Sequence, residues 1–219
     1  MAQKQFDLIV FDWDGTLMDS TAAIVKSIQA SARDLGLPVP DNHAAAYVIG
    51  LGLPEALRAA MPGLEPKYYP QMIERYRHHY LSRDHGLTLF DGVREMLDEL
   101  SQMGYLLAVA TGKSRAGLNR ALQESSLGSL FDATRCADET HSKPHPAMLQ
   151  ELTEQLGQDI GRTVMIGDTT HDLQMASNAG ASGIAVHYGA HPETMLREFN
   201  PLFAANSVAE LHDWLRRHA

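Results

Sequence analysis

The chain is short of cysteine, of long apolar runs and of clustered basic residues, and each shortage narrows what it can be. Cys136 stands alone among 219 residues, so no disulfide joins two parts of the chain. That usage fits a reducing compartment. Its setting, FDATRCADET, places no obvious activating partner beside the thiol, and Cys136 reads as structural. No stretch approaches the ~20 consecutive apolar residues that a membrane-spanning helix needs. The opening MAQKQFDLIVFDWD carries an apolar run too short, and too soon acidic, for a secretion signal. A cytoplasmic protein with no membrane contact is therefore expected. Lys and Arg number 18 against 27 Asp and Glu, a formal net charge of -9, and the cations form no patch of the kind that tracks nucleic acid. An anionic ligand must be met by local cations at its site. Internal repeats and low-complexity tracts are missing too.

What is present is an ordinary globular composition, 44% hydrophobic and 21% charged, in a chain long enough for a main domain with an insertion. Short apolar runs recur at FDLIVF (6–11), YLLAVA (105–110), TVMIG (163–167) and GIAV (183–186). Between them lie helical-period stretches at 92–104, 114–125 and 145–157. Continuously apolar strands alternating with amphipathic helices predict a doubly wound, Rossmann-like α/β fold with a parallel sheet covered on both faces. Ligands of such folds bind beyond the carboxyl ends of the strands. Residues 20–89 break the alternation: they offer helix-like segments and no convincing strand. An inserted all-helical cap domain is expected there, with the α/β core built from 1–19 and 90–219.

The residues after each apolar run carry the chemistry. FDLIVF ends in Asp12, Trp13, Asp14, Gly15 and Thr16; YLLAVA ends in Thr111, Gly112 and Lys113; TVMIG ends in Asp168, with Asp172 four residues on. Lys143 lies in the loop HSKPHP. Two carboxylates one residue apart repel, and burying either is costly without a partner. Phosphoryl transfer onto an enzyme carboxylate resolves that cost. Asp12, ionised near pH 7, needs no base to act as a nucleophile. Mg²⁺ held by Asp12 and Asp168 would screen its repulsion from a phosphate dianion, and Lys143 would add a second cation. The Thr111 hydroxyl and nearby backbone N–H groups would hold the equatorial oxygens. Asp14 would protonate the leaving alkoxide and later activate water.

Ordered in this way, DWDGT, TG, KP and GDTTHD resemble the signature of the haloacid dehalogenase superfamily, and the layout looks most like its phosphoglycolate phosphatase group. The resemblance implies Asp12 as nucleophile and Mg²⁺ ligand, and Asp14 as acid/base that also lends the metal its backbone carbonyl. It implies Thr111 and Lys143 as phosphate ligands, Asp168 as a Mg²⁺ ligand, and Asp172 as the group orienting the metal's water shell or Lys143. Gly112 and Lys113 join the candidate substrate site; Lys113, just after the Thr-Gly turn, reads either as a contact to an anionic part of the substrate or as a solvated lysine at a helix start. Asp14 argues against the dehalogenase and phosphonate-hydrolase branches, and Thr16 favours a phosphatase over a sugar-phosphate mutase. This chain reads TGK where TNK is common among phosphoglycolate phosphatases.

The expected activity is Mg²⁺-dependent hydrolysis of a small phosphorylated metabolite, phosphoglycolate first among candidates, by a monomer or homodimer. A mutase and a non-catalytic phosphate-binding protein are the alternatives; the second is expected to lack one of Asp12, Asp14, Lys143 or Asp168, and none is missing. His141 and His145 flank two prolines, which argues against a helix aligning them as metal ligands. GLGLPEAL (50–57) reads as a cap loop near the substrate or as a plain turn between helices.

Overall fold

The computed structural model describes residues 4–83 and 86–219. Its centre is a parallel sheet of six strands: β1 (Leu8–Phe11), β2 (Leu106–Thr111), β3 (Ala133–Cys136), β4 (Thr163–Gly167), β5 (Ser182–Val186) and β6 (Phe203–Ala205). They lie in the order β3-β2-β1-β4-β5-β6, with the chain's first strand in the middle. Successive side chains of a strand point to opposite faces, and β1 shows what that requires here. Ile9 and Phe11 enter one buried cluster; Leu8 and Val10 enter another on the far side. The first face is covered by α5 (Val93–Gln102) and α10 (Val208–His218), through Met96, Leu97, Leu211 and Leu215. The second is covered by α7 (Ala147–Leu156) and α8 (Thr170–Ala179), through Leu149, Leu152 and Met175. A strand covered on both faces has no solvent side, which is why β1 reads as unbroken apolar sequence.

Register decides where the functional residues emerge. Phe11 stands opposite Val109 on one side and Ile166 on the other. The ends of β1, β2 and β4 are therefore level, and Asp12, Thr111 and Asp168 leave the sheet side by side. Strands β3 and β6 did not stand out in the sequence. Each lies at a sheet edge and is short, ATRC and FAA, so neither supplies a continuous apolar run.

The segment between β1 and α5 is helical, built from α1 (Thr21–Asp34), α2 (Asn42–Tyr47), α3 (Leu53–Ala60) and α4 (Tyr69–Arg83). Asp41 caps α2 by accepting the Ala44 N–H at 2.7 Å, and Pro54 stands in the first turn of α3, where its missing N–H costs nothing. These helices pack about a cluster of their own around Ile28, Ala45, Leu57 and Met72. The chain leaves and returns through one paired crossing. Met18 bridges Leu89 antiparallel, the Asp19 N–H donates to the Thr88 carbonyl, and the Phe90 N–H donates to the Leu17 carbonyl, both at 3.0 Å.

Leu97 of α5 is fully buried against the sheet. Leu97→Ala is expected to cost about 2–5 kcal/mol, read as a lower urea midpoint at unchanged slope.

Candidate active site

At the level strand ends, two linked clusters of charge converge. The first centres on Lys143, whose side chain is wholly buried. Its ammonium lies 2.8 Å from Asp12 Oδ1 and 2.6 Å from Asp172 Oδ1. The second Asp172 oxygen accepts the Thr169 N–H at 3.1 Å and the Thr169 hydroxyl at 2.6 Å. That bond ties off a free N–H at the start of α8 and fixes the carboxylate that steers Lys143. Asp168 is held as firmly: the Thr16 hydroxyl donates to Oδ1 at 2.8 Å, and the Ala190 N–H donates to Oδ2 at 2.7 Å. No side chain fits at Gly15 or Gly189, since a Cβ at either position would strike the Asp168 carboxylate.

Asp12 is different. It is fully buried, and among the described residues neither of its oxygens accepts a well-directed hydrogen bond; Lys143 approaches it as an ion pair. Burial, reinforced by the neighbouring carboxylates, pushes the Asp12 pKa well above the usual carboxylate range against the pull of Lys143. Burial and the charge of Asp172 likewise raise Asp168, to about 7. The Lys143 pKa is raised as well: its burial favours the neutral amine, but Asp12 and Asp172 hold it as the cation. Oxygens of Asp12, Asp168 and Asp172 lie within 4.8 Å of one another. An all-carboxylate set of hard donors, with one member lacking hydrogen bonds, suits a divalent metal ion. Asp172 is the least available member, because one oxygen faces the Lys143 ammonium and the other already accepts two hydrogen bonds from Thr169.

The second cluster surrounds Asp14. Ser20 donates to Asp14 Oδ1 at 2.7 Å, and the Lys113 ammonium lies 3.0 Å from the same oxygen. Lys113 also donates to the Tyr80 hydroxyl at 2.9 Å. The lysine that opens the TGK turn therefore meets a carboxylate of the chain itself and a tyrosine of α4. Thr111 is buried, and its Oγ1 accepts the Lys113 N–H at 3.2 Å, which leaves the hydroxyl proton to be donated elsewhere. At Gly112 a Cβ would collide with the carbonyls of Gly50 and Leu51. Segment 50–52 is thus more than a turn between helices: it lies directly on the strand-end loop, and the Gly52 N–H donates to Ser142 at 2.8 Å.

Several contributors gave no sequence signal. His171 and His191 both present Nε2 to the Tyr47 carbonyl, at 2.8 and 3.0 Å, which ends α2 against the Asp168 loop. His191 Nδ1 accepts the Thr170 N–H at 3.0 Å, so Nε2 carries the proton. Burial lowers the pKa of both, that of His191 to about 4. Single histidines, one in the first turn of α8 and one in a loop, carry no spacing rule that would have singled them out. His141 and His145 stack on one another with ring centres 4.2 Å apart. Cys136 is buried, and burial pushes its thiol up to about 12, which keeps it protonated and unreactive.

A sequence profile of haloacid dehalogenase-like hydrolases matches residues 9–186, the span that carries Asp12, Asp14, Thr111, Lys113, Lys143, Asp168 and Asp172. The chain belongs to that family. Within it, the likeness is to phosphatases. The chain is 38% identical over 211 residues to the probable phosphatase IndB of Dickeya dadantii, across 93% of this chain and 91% of that one. It is 30% identical over 224 residues to a phosphoglycolate phosphatase of Aliivibrio fischeri, across 94% and 99%. A crystal structure of a predicted phosphoglycolate phosphatase from Haemophilus somnus superposes with a TM-score of 0.85 at 25% identity, over 97% of this chain and 99% of that one. Among the described residues of this haloacid dehalogenase-like hydrolase, no helix is long and apolar enough to cross a membrane.

Because the metal-free Asp168 titrates near 7, metal and proton compete for it. Metal affinity is expected to fall by up to tenfold per pH unit below about 7. An acid whose folded pKa is raised destabilises the metal-free protein as pH rises through that value. Added Mg²⁺ is therefore expected to raise the melting temperature more at pH 8 than at pH 6, in paired thermal melts.

Proposed function

We propose that this phosphatase hydrolyses a small phosphate monoester, with Mg²⁺ as its cofactor and an aspartyl-phosphate on Asp12 as its intermediate. The observation that carries the reading is Asp12 itself: a buried carboxylate at the end of the central strand, with no well-directed hydrogen bond to either oxygen among the described residues and an ammonium 2.8 Å away. A structural carboxylate in such a place is hydrogen-bonded; one kept for attack is not. Asp12 and Asp168 would hold the cation, which when bound supplies charge that offsets the repulsion between carboxylate and phosphate dianion.

An Asp12 oxygen attacks phosphorus as the bond to the leaving alcohol breaks. Lys143 and the Thr111 hydroxyl bear the charge spreading over the equatorial oxygens. Asp14 gives its proton to the departing oxygen. In the second half-reaction Asp14 takes a proton from water as that water attacks the aspartyl-phosphate, releasing inorganic phosphate and restoring Asp12. Asp172 acts through Lys143, holding the ammonium in place.

The helical segment 20–89 acts as the cap over a core formed by 1–19 and 90–219, and its mobility about the crossing at Met18 and Leu89 would admit substrate and exclude water. The resemblance in the motifs and the name of the Aliivibrio fischeri relative make phosphoglycolate the first ester to assay.

Asp12→Asn is expected to lower steady Mg²⁺-dependent phosphate release by at least ~10³-fold while the circular dichroism spectrum is unchanged; unaltered release would remove Asp12 as the nucleophile. Asp14→Asn should discriminate the two half-reactions. With 4-nitrophenyl phosphate, whose leaving group needs no proton, a rapid burst of about one nitrophenolate per enzyme is expected, followed by turnover slowed ~10²-fold or more. A linear time course without a burst would deny Asp14 its role in the hydrolysis of the intermediate.

A further inference from the structure

The chamber above Asp14 is larger than glycolate requires. It encloses about 1010 Å³ between the helical segment and the sheet ends, with Asp14 and Lys113 in its wall. Phosphoglycolate displaces on the order of 150 Å³, about five waters' share of liquid volume. Beyond its charged end the chamber is lined by Ile24, Ile28, Ile49, Ile73, Leu81 and Leu89. Tyr76 and Tyr80 stand in the same wall as a parallel pair, ring centres 5.6 Å apart and planes 12° from coplanar. Tyr80 reaches Lys113, so the aromatic wall begins where the Asp14 cluster ends.

Charge points the same way. The basic side chains in the wall are Arg77, Lys113 and Arg120; Asp14, Glu55, Glu124 and Asp138 outnumber them, and Lys113 is committed to Asp14. A second carboxylate, such as that of glycolate, finds no surplus of cations here. Polar capacity is instead offered by Trp13, another wall residue, whose buried indole N–H has no acceptor among the described residues.

We infer that the substrate is a phosphate monoester whose leaving alcohol carries an uncharged aromatic ring, seated in this chamber against Tyr76 and Tyr80. Flat aromatic groups gain most from such a wall, through area removed from water and through ring stacking. The inference rests on the phosphatase reading and names its substrate class.

The test compares kcat/KM in Mg²⁺ for 2-phenylethyl phosphate, ethyl phosphate and 2-phosphoglycolate. All three expel an oxygen on a primary carbon, so the bond being cleaved is of one kind. The phenylethyl ester is expected to exceed ethyl phosphate by about 50-fold, and to exceed phosphoglycolate. Tyr76→Ala should reduce the phenylethyl-to-ethyl ratio by about tenfold. Equal values for the two neutral esters, or a preference for phosphoglycolate, would overturn the inference and leave the phosphatase standing. Should none of the three be hydrolysed, the phosphatase reading fails, and titration calorimetry of the same esters judges the chamber. Binding of 2-phenylethyl phosphate about 50-fold tighter than ethyl phosphate would support the inference, and equal binding would sink it.

Discussion

The site depends on one buried ammonium. Lys143 has no water to solvate it, and an unpaired charge in such a place is costly enough that the group would neutralise instead. It stays charged because Asp12 and Asp172 stand on either side. Each partner is then constrained in turn. Asp172 must open α8, where it also serves the Thr169 N–H, and Asp12 must end β1. Removing one member of such a group costs about 3–5 kcal/mol, since the others are left as uncompensated buried charge. Yet the group is not neutral. Four carboxylates stand against two lysines, and burial, reinforced by neighbouring carboxylates, raises the pKa values of Asp12 and Asp168. A divalent cation has the charge and the oxygen preference to absorb that excess. The electrostatic imbalance is the reason for the site, not a defect in it.

The helical segment is joined to this centre at several points besides its covalent links. Gly112 lets the Gly50 and Leu51 carbonyls lie against the end of β2. Two neutral histidines hold the Tyr47 carbonyl over the Asp168 loop. Tyr80 meets Lys113, and Lys113 meets Asp14. Helix α4 and the Asp14 carboxylate are thereby connected through one lysine. These contacts are mostly polar and directional, whereas each side has its own apolar cluster. Two apolar clusters linked by polar contacts and one two-stranded crossing fit the cap proposed above.

Legibility in the sequence followed burial. Strands β1, β2, β4 and β5 were plain because β1 and its neighbours are covered on both faces, which demands unbroken apolar runs. Strands β3 and β6 were hidden because an edge strand needs no such run; Thr134 and Arg135 of β3 are half-buried. Asp12, Asp14 and Asp168 were legible because charged residues directly after buried strands are too costly to occur there without use; Lys143, in a loop, was legible through the order of the motifs. Ser20, Thr169, His171 and His191 were not, because a hydroxyl or imidazole that serves another side chain leaves no spacing to recognise.

Lys113 shows where the boundary falls. Its place in the TGK turn marked it as near the substrate, yet nothing in the local sequence names Tyr80, 33 residues earlier, as its partner. By itself the sequence determined the α/β alternation, the helical interruption and the order of charged groups at the strand ends, because period and burial cost are local properties of a chain. Only the tertiary structure decided which carboxylate each lysine serves, and that the wall above them is aromatic and apolar. Those are matters of distance between segments far apart in sequence, and distance is settled by packing, not by order along the chain.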